Sequence, residues 1–354
     1  MTVAGGGGPG ETGAEALAAA RVVLAQMGIS PADLAARPIQ VPTFAEVIPQ
    51  VRATLTPGTL RTYNTHFARL LDRWPDRRLD EPGVAELQAM AVEVTRSAAT
   101  NRASRGGRGA GENFVAAVRC LYRFAENRWI SPADNPARRV EKPGRRASQR
   151  FAIPAPQLAE ICRVAAMTGT DPELDSLILR LVTETACRRG GALALRPKDL
   201  DRDQCLVYLR EKDASDRWQP VSPTLMRYLL THAAERGSPP EGQLLRYSNG
   251  RPITSRRLDH LWKRLGQELP WVAAQGVTTH WLRHTTLTWV ERTFSYAVAR
   301  AYAGHDSKAN GVTTTYVKAD ITEVAAAVAV LTGEPHPLAD HQTNSTPTRW
   351  SPAP

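Results

Sequence analysis

Four short segments of this 354-residue sequence carry arginine, lysine, histidine and tyrosine side chains of the types needed to handle a phosphate ester. A guanidinium binds phosphate oxygens through two parallel hydrogen bonds, an imidazole or ammonium group moves protons, and a tyrosine hydroxyl can act as a nucleophile. In chain order the segments contain Arg188, then Lys212, then His280-Trp-Leu-Arg283-His284, then Ala303-Gly304-His305 with Tyr316 eleven residues after the histidine. The combination carries more information than any single member.

Taken singly, these residues have simpler interpretations. A lone tyrosine such as Tyr316 is more often a packing residue than a nucleophile, and a lysine in a polar turn is usually solvated. His280 and His284 have the i, i+4 spacing of a zinc pair, but no third ligand accompanies them, so no metal site is predicted. Another His-x-x-Arg motif, at His66, is expected by chance among 39 arginines and is interpreted as ordinary helix surface.

Cysteine usage and hydropathy exclude several classes of protein. The four cysteines are scattered, with no Cys-x-x-Cys pair and no metal-ligand spacing, so reduced thiols of the cytoplasm are expected. No basic stretch followed by an apolar run marks a signal peptide. The longest apolar run near the C-terminus, 324–331, is too short to cross a bilayer. The sequence therefore predicts a cytoplasmic protein without a membrane partner.

Positive charge is unevenly distributed along the chain. The formal net charge is +10, and arginine supplies 39 of the 45 basic residues. Residues 43–150, under a third of the chain, alone carry a formal charge of +8. Such a concentration indicates a polyanionic partner, most often nucleic acid, although an arginine-rich genome explains part of the bias.

Composition breaks and helix signals divide the sequence into five predicted segments. These are a flexible N-terminal extension (1–42), a small all-helical domain (43–131), a basic interdomain linker (132–150), a larger domain (151–332) and a disordered tail (333–354). In the helical domain, Thr43 and Thr56-Pro57 provide N-terminal caps for two helices. Two further helices fit 84–96 and 113–127.

The larger domain is predicted to be helix-dominated with one β-hairpin. Asp171-Pro172 starts a helix with one apolar face. Strands at 205–210 and 217–221 flank a polar turn that holds Lys212. Further helices are predicted at about 222–235, 254–268, 279–291, 294–302 and 321–331. The predicted fold class is mainly α with a small antiparallel β component.

Two basic stretches in the first domain and linker are candidate DNA contacts, because their arginines lie among glycines and prolines rather than in regular helix. A merely solvated linker is the alternative interpretation of the second stretch. The candidate contact residues are Arg102, Arg105, Arg108, Arg138, Arg139, Lys142, Arg145 and Arg146.

Together, the four segments resemble the tyrosine recombinases of the phage integrase family over roughly residues 43–332. The resemblance implies a helical core-binding (SAM-like) domain, a basic linker and an α+β catalytic domain in which six residues surround one phosphate. It implies that the tyrosine attacks phosphorus to give a 3′-phosphotyrosine, that the lysine is the general acid, and that two arginines neutralise the transition state. His280 would assist proton transfer or hydrogen-bond the phosphate, and His305 would hydrogen-bond a non-bridging oxygen. The six residues are Arg188, Lys212, His280, Arg283, His305 and Tyr316.

Three features depart from the family pattern. An acidic residue usually stands three positions after the first arginine, where this chain has Gly191, so a charged partner is missing there. Thr185-Ala186 replaces the usual Thr-Gly before that arginine. The interval from His305 to Tyr316 is two residues longer than is common. All six chemical positions are nevertheless filled.

The resemblance implies a site-specific DNA recombinase of the bacterial cytoplasm that acts as a tetramer on two duplex DNA sites, with no metal or other cofactor. Accessory DNA-bending or directionality factors would be further partners. Two alternatives stay open: a type IB topoisomerase-like enzyme with the same chemistry, and a non-catalytic DNA-binding regulator of the same fold. The apolar stripe of the last predicted helix either docks on a neighbouring protomer or packs on its own domain.

Overall fold

Two compact units, residues 1–146 and 147–354, make up the chain. The structure is a computed structural model that describes residues 11–28, 40–98, 107–144, 150–211, 216–304 and 319–339. The division between the units falls inside the predicted linker, 132–150. Each unit has its own buried hydrophobic core.

The first unit is helical throughout its described part, as predicted. Its helices are α1 (Glu11–Gln26), α2 (Phe44–Thr54), α3 (Pro57–Arg73), α4 (Val84–Ser97) and α5 (Arg108–Ala125). Thr43 caps α2 in a capping box with Glu46, and Thr56 caps α3 ahead of its N-terminal proline. In the core, Tyr122 packs edge-on to Phe44 and donates its hydroxyl to a backbone carbonyl at 2.9 Å.

His66 is buried, so the expectation of a surface histidine is wrong. Its ring lies edge-on to Phe114 at a centroid distance of 5.9 Å, because α3 turns this face toward α5. Burial, with a smaller contribution from the charge of Arg69, lowers the pKa of His66. The ring is therefore mainly neutral at pH 7 and belongs to the core.

Two segments predicted to lack regular structure contain some. Residues 11–26 of the predicted flexible extension form α1, because the segment is rich in alanine, the strongest helix former. In the predicted linker, residues 136–138 form a 3₁₀ turn, and Ala137 and Val140 are buried against the helical core. Arg119 donates hydrogen bonds to the carbonyls of both residues, at 3.3 and 2.8 Å. This half of the predicted linker belongs to the first unit.

The second unit combines helices with one small antiparallel sheet, which confirms the predicted fold class. Strands β1 (Leu200–Asp201), β2 (Leu206–Leu209) and β3 (Arg217–Pro220) pair in the order β1-β2-β3. The predicted hairpin is β2–β3, in which Leu209 pairs with Arg217 beside the turn. The helices are α6 (Ala155–Met167), α7 (Pro172–Thr185), α8 (Arg189–Ala194), α9 (Pro223–Glu235), α10 (Ser255–Glu268), α11 (Pro270–Gln275), α12 (Thr279–Thr293), α13 (Tyr296–Ala303) and α14 (Ile321–Thr332).

Helix α12 packs against α7 and α13, and α14 packs against β3 and α13. Val324 and Val328 of α14 are buried together with Val298 and Tyr302 of α13. The last helix therefore packs on its own unit, which is one of the two arrangements considered from the sequence.

The first residues of the predicted disordered tail belong to the second unit. Glu334 accepts a hydrogen bond from the backbone N–H of Thr224 at 3.0 Å and from the guanidinium of Arg180 at 2.8 Å. His336 is 1 % exposed, and its Nε2 lies 3.3 Å from the carbonyl oxygen of Cys205. The expectation of disorder is wrong for residues 333–339. Glu334 holds this segment in place because it accepts a backbone N–H from the first turn of α9.

No helix in the described ranges is long and apolar enough to cross a membrane. The same ranges contain no group of three or more histidine, cysteine, aspartate or glutamate side chains that could hold a metal ion. The four cysteines are free thiols.

Candidate active site

Three of the six predicted catalytic residues lie in the described part of the chain, and the structure brings two of them together. Arg188 and Arg283, 95 positions apart in the sequence, both approach the carboxylate of Glu211. His280 lies one turn before Arg283 on α12. The other three, Lys212, His305 and Tyr316, fall outside the described residues.

The backbone between α7 and α8 places Arg188. The last residue of α7, Thr185, is followed by Ala186 in the left-handed region, with φ +49° and ψ +25°. Glycine adopts this conformation more easily than alanine, so Ala186 costs some backbone strain at this turn. The turn ends α7 and leaves Arg188 as the N-cap of α8.

Arg283 is held in the middle of α12 and is 4 % exposed. Its Nη2 donates to the carbonyl of Ala303 at the end of α13 at 2.8 Å, and its Nη1 donates to the carbonyl of Ala186. One guanidinium thus joins the C-terminal ends of two other helices. The pKa of Arg283 is lowered to about 10, chiefly by burial; the charge of Glu211 opposes this shift, and the charges of Arg188 and Arg217 add to it. The group remains charged at pH 7.

Glu211 lies at the centre of the site with its side chain wholly buried. Its Oε2 accepts hydrogen bonds from Nη1 of Arg188 at 2.8 Å and Nη1 of Arg217 at 3.0 Å, and lies 3.7 Å from Nη1 of Arg283. Its Oε1 accepts the backbone N–H of Arg188. Burial alone would raise the pKa of Glu211, but the N–H of Arg188 and the charges of Arg217 and Arg283 outweigh it and lower the pKa.

Arg217 is a third guanidinium of this cluster, which we call the Glu211 cluster: Arg188, Glu211, Arg217 and Arg283. It begins β3 and is 11 % exposed. Its Nη2 donates to the carbonyl of Thr185 at 3.4 Å, and its Nε donates to Gln219 at 3.1 Å. Sequence reasoning missed both Glu211 and Arg217. The one available signal was their position at the two ends of the predicted hairpin turn.

His280 is the exposed histidine at the start of α12. Partial desolvation lowers its pKa first, and the nearby charges of Arg150, Arg283 and Arg188 lower it further. The ring is therefore mainly neutral at pH 7. A neutral imidazole beside a positively charged site can accept a proton from a hydroxyl group.

Two other nucleophilic side chains near the site are structural. The hydroxyl of Tyr302 is buried and donates to the carbonyl of Glu184, and burial raises its pKa. The thiol of Cys187 is fully buried, and burial raises its pKa to about 11. Both groups stay protonated and inaccessible at neutral pH, so neither is a candidate nucleophile.

Of the candidate DNA contacts, the structure describes Arg108, Arg138, Arg139 and Lys142, all in the first unit. Arg108 donates to the carbonyl of Gly144 at 3.0 Å. Arg138 forms a two-point ion pair with Glu126, at 2.6 and 3.1 Å, although its side chain is still 58 % exposed. Arg139 and Lys142 are exposed. The remaining candidates, Arg102, Arg105, Arg145 and Arg146, lie outside the described residues.

The Glu211 cluster has the electrostatic character of an anion site. Three guanidiniums share one carboxylate, which leaves two positive charges in excess within a partly buried volume. Arg188 is 35 % exposed, so part of this charge faces solvent. Arginines in this setting bind phosphate oxygens more strongly than they would in water, because the local dielectric is low.

Comparison with known sequences finds similarity to one family. Residues 153–323 match the phage integrase family. The tyrosine recombinase XerC of Chlamydia trachomatis serovar L2 is 27 % identical over 207 residues, covering 54 % of this chain and 62 % of that protein. XerC of Chlamydia caviae is 25 % identical over 138 residues, covering 38 % and 44 %. The chain therefore spans less than two thirds of the length of these relatives.

Comparison with solved structures shows the same fold. A lambda integrase dimer bound to a COC′ core site superposes with a TM-score of 0.57 at 16 % identity, covering 79 % of this chain and 78 % of that one. The Tn1549 transposon integrase in complex with a circular intermediate DNA gives 0.56 at 14 % identity, covering 82 % and 98 %. At these identities the likeness concerns the fold, which is the class predicted from the sequence.

Proposed function

We propose that this chain, which matches the phage integrase family over residues 153–323, is a site-specific DNA recombinase of the tyrosine class. It cleaves and rejoins duplex DNA through a 3′-phosphotyrosine intermediate. The covalent bond conserves the energy of the phosphodiester, so rejoining needs no nucleotide cofactor. The observation that carries this proposal is the convergence of Arg188, Arg217 and Arg283 on one partly exposed point.

The chemistry of phosphodiester cleavage explains why such a cluster supports the proposal. Attack on phosphorus adds negative charge to the equatorial oxygens, and catalysis depends on groups already placed to neutralise it. Arg188 and Arg283 are the proposed phosphate ligands. Guanidiniums stay charged at working pH, so this stabilisation needs no metal ion.

Chain connectivity supports the proposed roles of two residues outside the described ranges. Lys212, the proposed general acid, directly follows Glu211. His305, the proposed hydrogen-bond donor to a non-bridging oxygen, directly follows Gly304, which has φ +65° and ends α13. A Cβ on Gly304 would lie 2.6 Å from Nη1 of Arg217, so this glycine packs closely on the cluster. Both proposed residues are thus covalently attached to residues at the site.

Tyr316 is the proposed nucleophile, and His280 is the proposed acceptor of its proton. The lowered pKa of His280 supports this role, because only the neutral ring can accept a proton. The tyrosyl oxygen then bonds to phosphorus while the bond to the 5′-oxygen breaks, and Lys212 gives that oxygen a proton. Rejoining reverses these steps.

DNA binding and assembly complete the proposal. The helical domain (43–131), the linker (132–150) and the catalytic domain (151–332) each bind the duplex, with the arginine-rich candidate residues on its phosphates. Four copies act on two DNA sites, and accessory DNA-bending or directionality factors assist. The exposed side chains of Arg139 and Lys142 support this role for the first unit.

The proposal is tested by trapping the covalent intermediate. Nicked duplexes are prepared from the DNA flanking the gene, so that a short fragment is lost after cleavage and the protein stays attached. Wild-type protein should give a protein–DNA adduct on denaturing gels, and Tyr316→Phe should give none, because phenylalanine cannot attack phosphorus. Tyr296→Phe is the matched control, since Tyr296 is an exposed tyrosine of α13 outside the cluster.

Each alternative predicts a different outcome. Adducts that persist in Tyr316→Phe would refute the assignment of the nucleophile. Relaxation of supercoiled plasmids without any site requirement would indicate a type IB topoisomerase-like enzyme. Footprints on the flanking DNA without cleavage, unchanged by Tyr316→Phe, would indicate a DNA-binding regulator.

A further inference from the structure

The carboxylate of Glu211 occupies the space in front of Gly191, three residues after Arg188. A Cβ on Gly191 would lie 3.0 Å from both Cγ and Oε1 of Glu211. The backbone of Gly191 is not in the left-handed region, so its conformation does not require glycine. Neighbouring Gly190 is different, because a Cβ there meets nothing within 4 Å. Gly191 is therefore small where a side chain would collide with Glu211.

The contacts of Glu211 fix the directions of the surrounding guanidiniums. Its two oxygens bind both the backbone N–H and the side chain of Arg188, so they set this residue at two points. Oε2 also binds Arg217, which in turn donates to the carbonyl of Thr185 at the end of α7. The same oxygen lies 3.7 Å from Arg283. One buried carboxylate thus links α8, β3 and α12.

We propose that Glu211 is the positioning residue of the phosphate site. The absence of a side chain at Gly191 leaves the space that the Glu211 carboxylate occupies. The carboxylate does not touch DNA; it orients Arg188 and Arg217 and limits their mutual repulsion with Arg283. This inference rests on the proposed function, and it explains why the site keeps its arginines without an acidic residue at position 191. In this chain the carboxylate beside Arg188 comes from the residue pair after β2 rather than from α8.

Charge balance favours a positioning role over simple neutralisation. With Glu211 in place, the cluster retains two excess positive charges, so it still attracts a phosphodiester. Without Glu211, three guanidiniums would repel one another, and the exposed Arg188 would turn toward solvent. Ground-state binding would survive this change because the positive charge increases, but the geometry that the transition state needs would be lost.

The first test separates binding from chemistry in Glu211→Gln, which keeps the shape of the side chain and removes its charge. We expect single-turnover cleavage of the suicide duplex to slow by about tenfold to hundredfold. The DNA dissociation constant should stay unchanged or decrease. A residue needed only for folding would instead lower the fraction of active molecules, which the adduct plateau measures, and leave the rate of the active fraction unchanged.

The second test moves the carboxylate back to α8. In a Glu211→Gly background, Gly191→Asp places a carboxylate where the Glu211 oxygens stood, and cleavage should recover at least tenfold over Glu211→Gly alone. Gly190→Asp in the same background is the matched control, since it adds the same charge one residue away in open space. It should not rescue cleavage.

The outcomes distinguish this proposal from the proposed function. If the wild-type protein forms Tyr316-dependent adducts and Glu211→Gln cleaves within about twofold of wild type, Glu211 is not a positioning residue and the recombinase function stands. The positioning role is also overturned if the double variant Glu211→Gly/Gly191→Asp cleaves DNA no faster than Glu211→Gly. The same holds if Gly190→Asp restores cleavage as well as Gly191→Asp does. If the wild-type protein forms no such adducts on a bound site, the proposed function itself fails.

Discussion

Two carboxylates of the second unit, those of Asp175 and Glu211, are wholly buried among arginines. They differ in how much positive charge remains around them after each carboxylate has neutralised one guanidinium. Asp175 of α7 accepts hydrogen bonds from Arg257 at 2.7 and 3.0 Å and from Arg264 at 2.7 Å. We call these three residues the Asp175 cluster. Glu211, in contrast, gathers three guanidiniums, one of which is a third exposed.

The difference shows that the same side-chain types can either stabilise the fold through buried ion pairs or form a site for an anion. In the Asp175 cluster, Arg257 also donates to the carbonyl of Asp171 and Arg264 to Thr168, so the guanidiniums are turned inward and mostly buried. In the Glu211 cluster, an additional guanidinium raises the excess charge and Arg188 faces solvent. The proposed phosphate site therefore differs from the Asp175 cluster in its excess positive charge and its open side, rather than in arginine content as such.

The largest expected effect comes from removing one arginine from each cluster. Arg188→Ala should slow single-turnover cleavage by about a thousandfold, because one charged ligand of the transition state is lost. Arg257→Ala, the matched change in the Asp175 cluster, should leave the cleavage rate of folded molecules unchanged. Equal losses of rate in the two variants would remove the functional distinction between the clusters.

A smaller but measurable effect is expected on stability. Asp175→Ala leaves two mostly buried guanidiniums without their carboxylate, so it should lower the free energy of unfolding by about 3 kcal/mol. Urea unfolding measures this, with Glu173→Ala as a control on the same helix, because Glu173 is 87 % exposed. We expect less than about 0.5 kcal/mol for the control. If Asp175→Ala were as stable as the Glu173→Ala control, the Asp175 cluster would not contribute to the stability of the fold.

The smallest expected effect is a pH dependence caused by His280, which lies within the electrostatic influence of Arg283 and Arg188 of the Glu211 cluster. Partial desolvation and nearby arginines lower the pKa of His280 from its ordinary value of 6.5, so the unfolded chain binds this proton more readily. The stabilising contribution is therefore present above pH 6.5 and is lost as the pH falls below it. The kcat/KM for cleavage should stay level from pH 8 to 6.5 and decrease below.

His280→Gln provides the measurement for this pH effect. Between pH 7.5 and 5.5, wild-type protein should lose more unfolding free energy than His280→Gln does. His260→Gln, at an exposed position on the helix that carries Arg257 and Arg264, is the matched control for the substitution. The same loss in wild type and His280→Gln would contradict the lowered pKa of His280.

Local signals were enough to predict most of the fold. Caps at Thr43, Thr56 and Asp171 are side-chain to backbone contacts within a few residues, so the sequence reveals where those helices begin. Helix α6 was missed because its N-cap, Pro154, makes no side-chain hydrogen bond. Strand β1 was missed because two residues are too few to show an alternating pattern.

The candidate site was predictable only in part, because its centre depends on contacts between distant segments. Arg188 and Arg283 could be paired through the chemistry they share with a family pattern. Glu211 gave no such signal, since beside Lys212 it is one more polar residue of a turn. Its importance depends on the vacancy at Gly191, twenty positions earlier, and on the end of β2 lying against α8.

Glu211 also fixes one end of the hairpin turn. Glu211 is fixed by its arginines, and its backbone N–H donates to Asp216 at 3.2 Å across the base of the turn. Lys212 follows this fixed residue directly in the sequence. The residue proposed as the general acid is therefore bonded directly to a residue that the guanidiniums hold in place. A lysine two or three residues further along the chain would lack this direct bond.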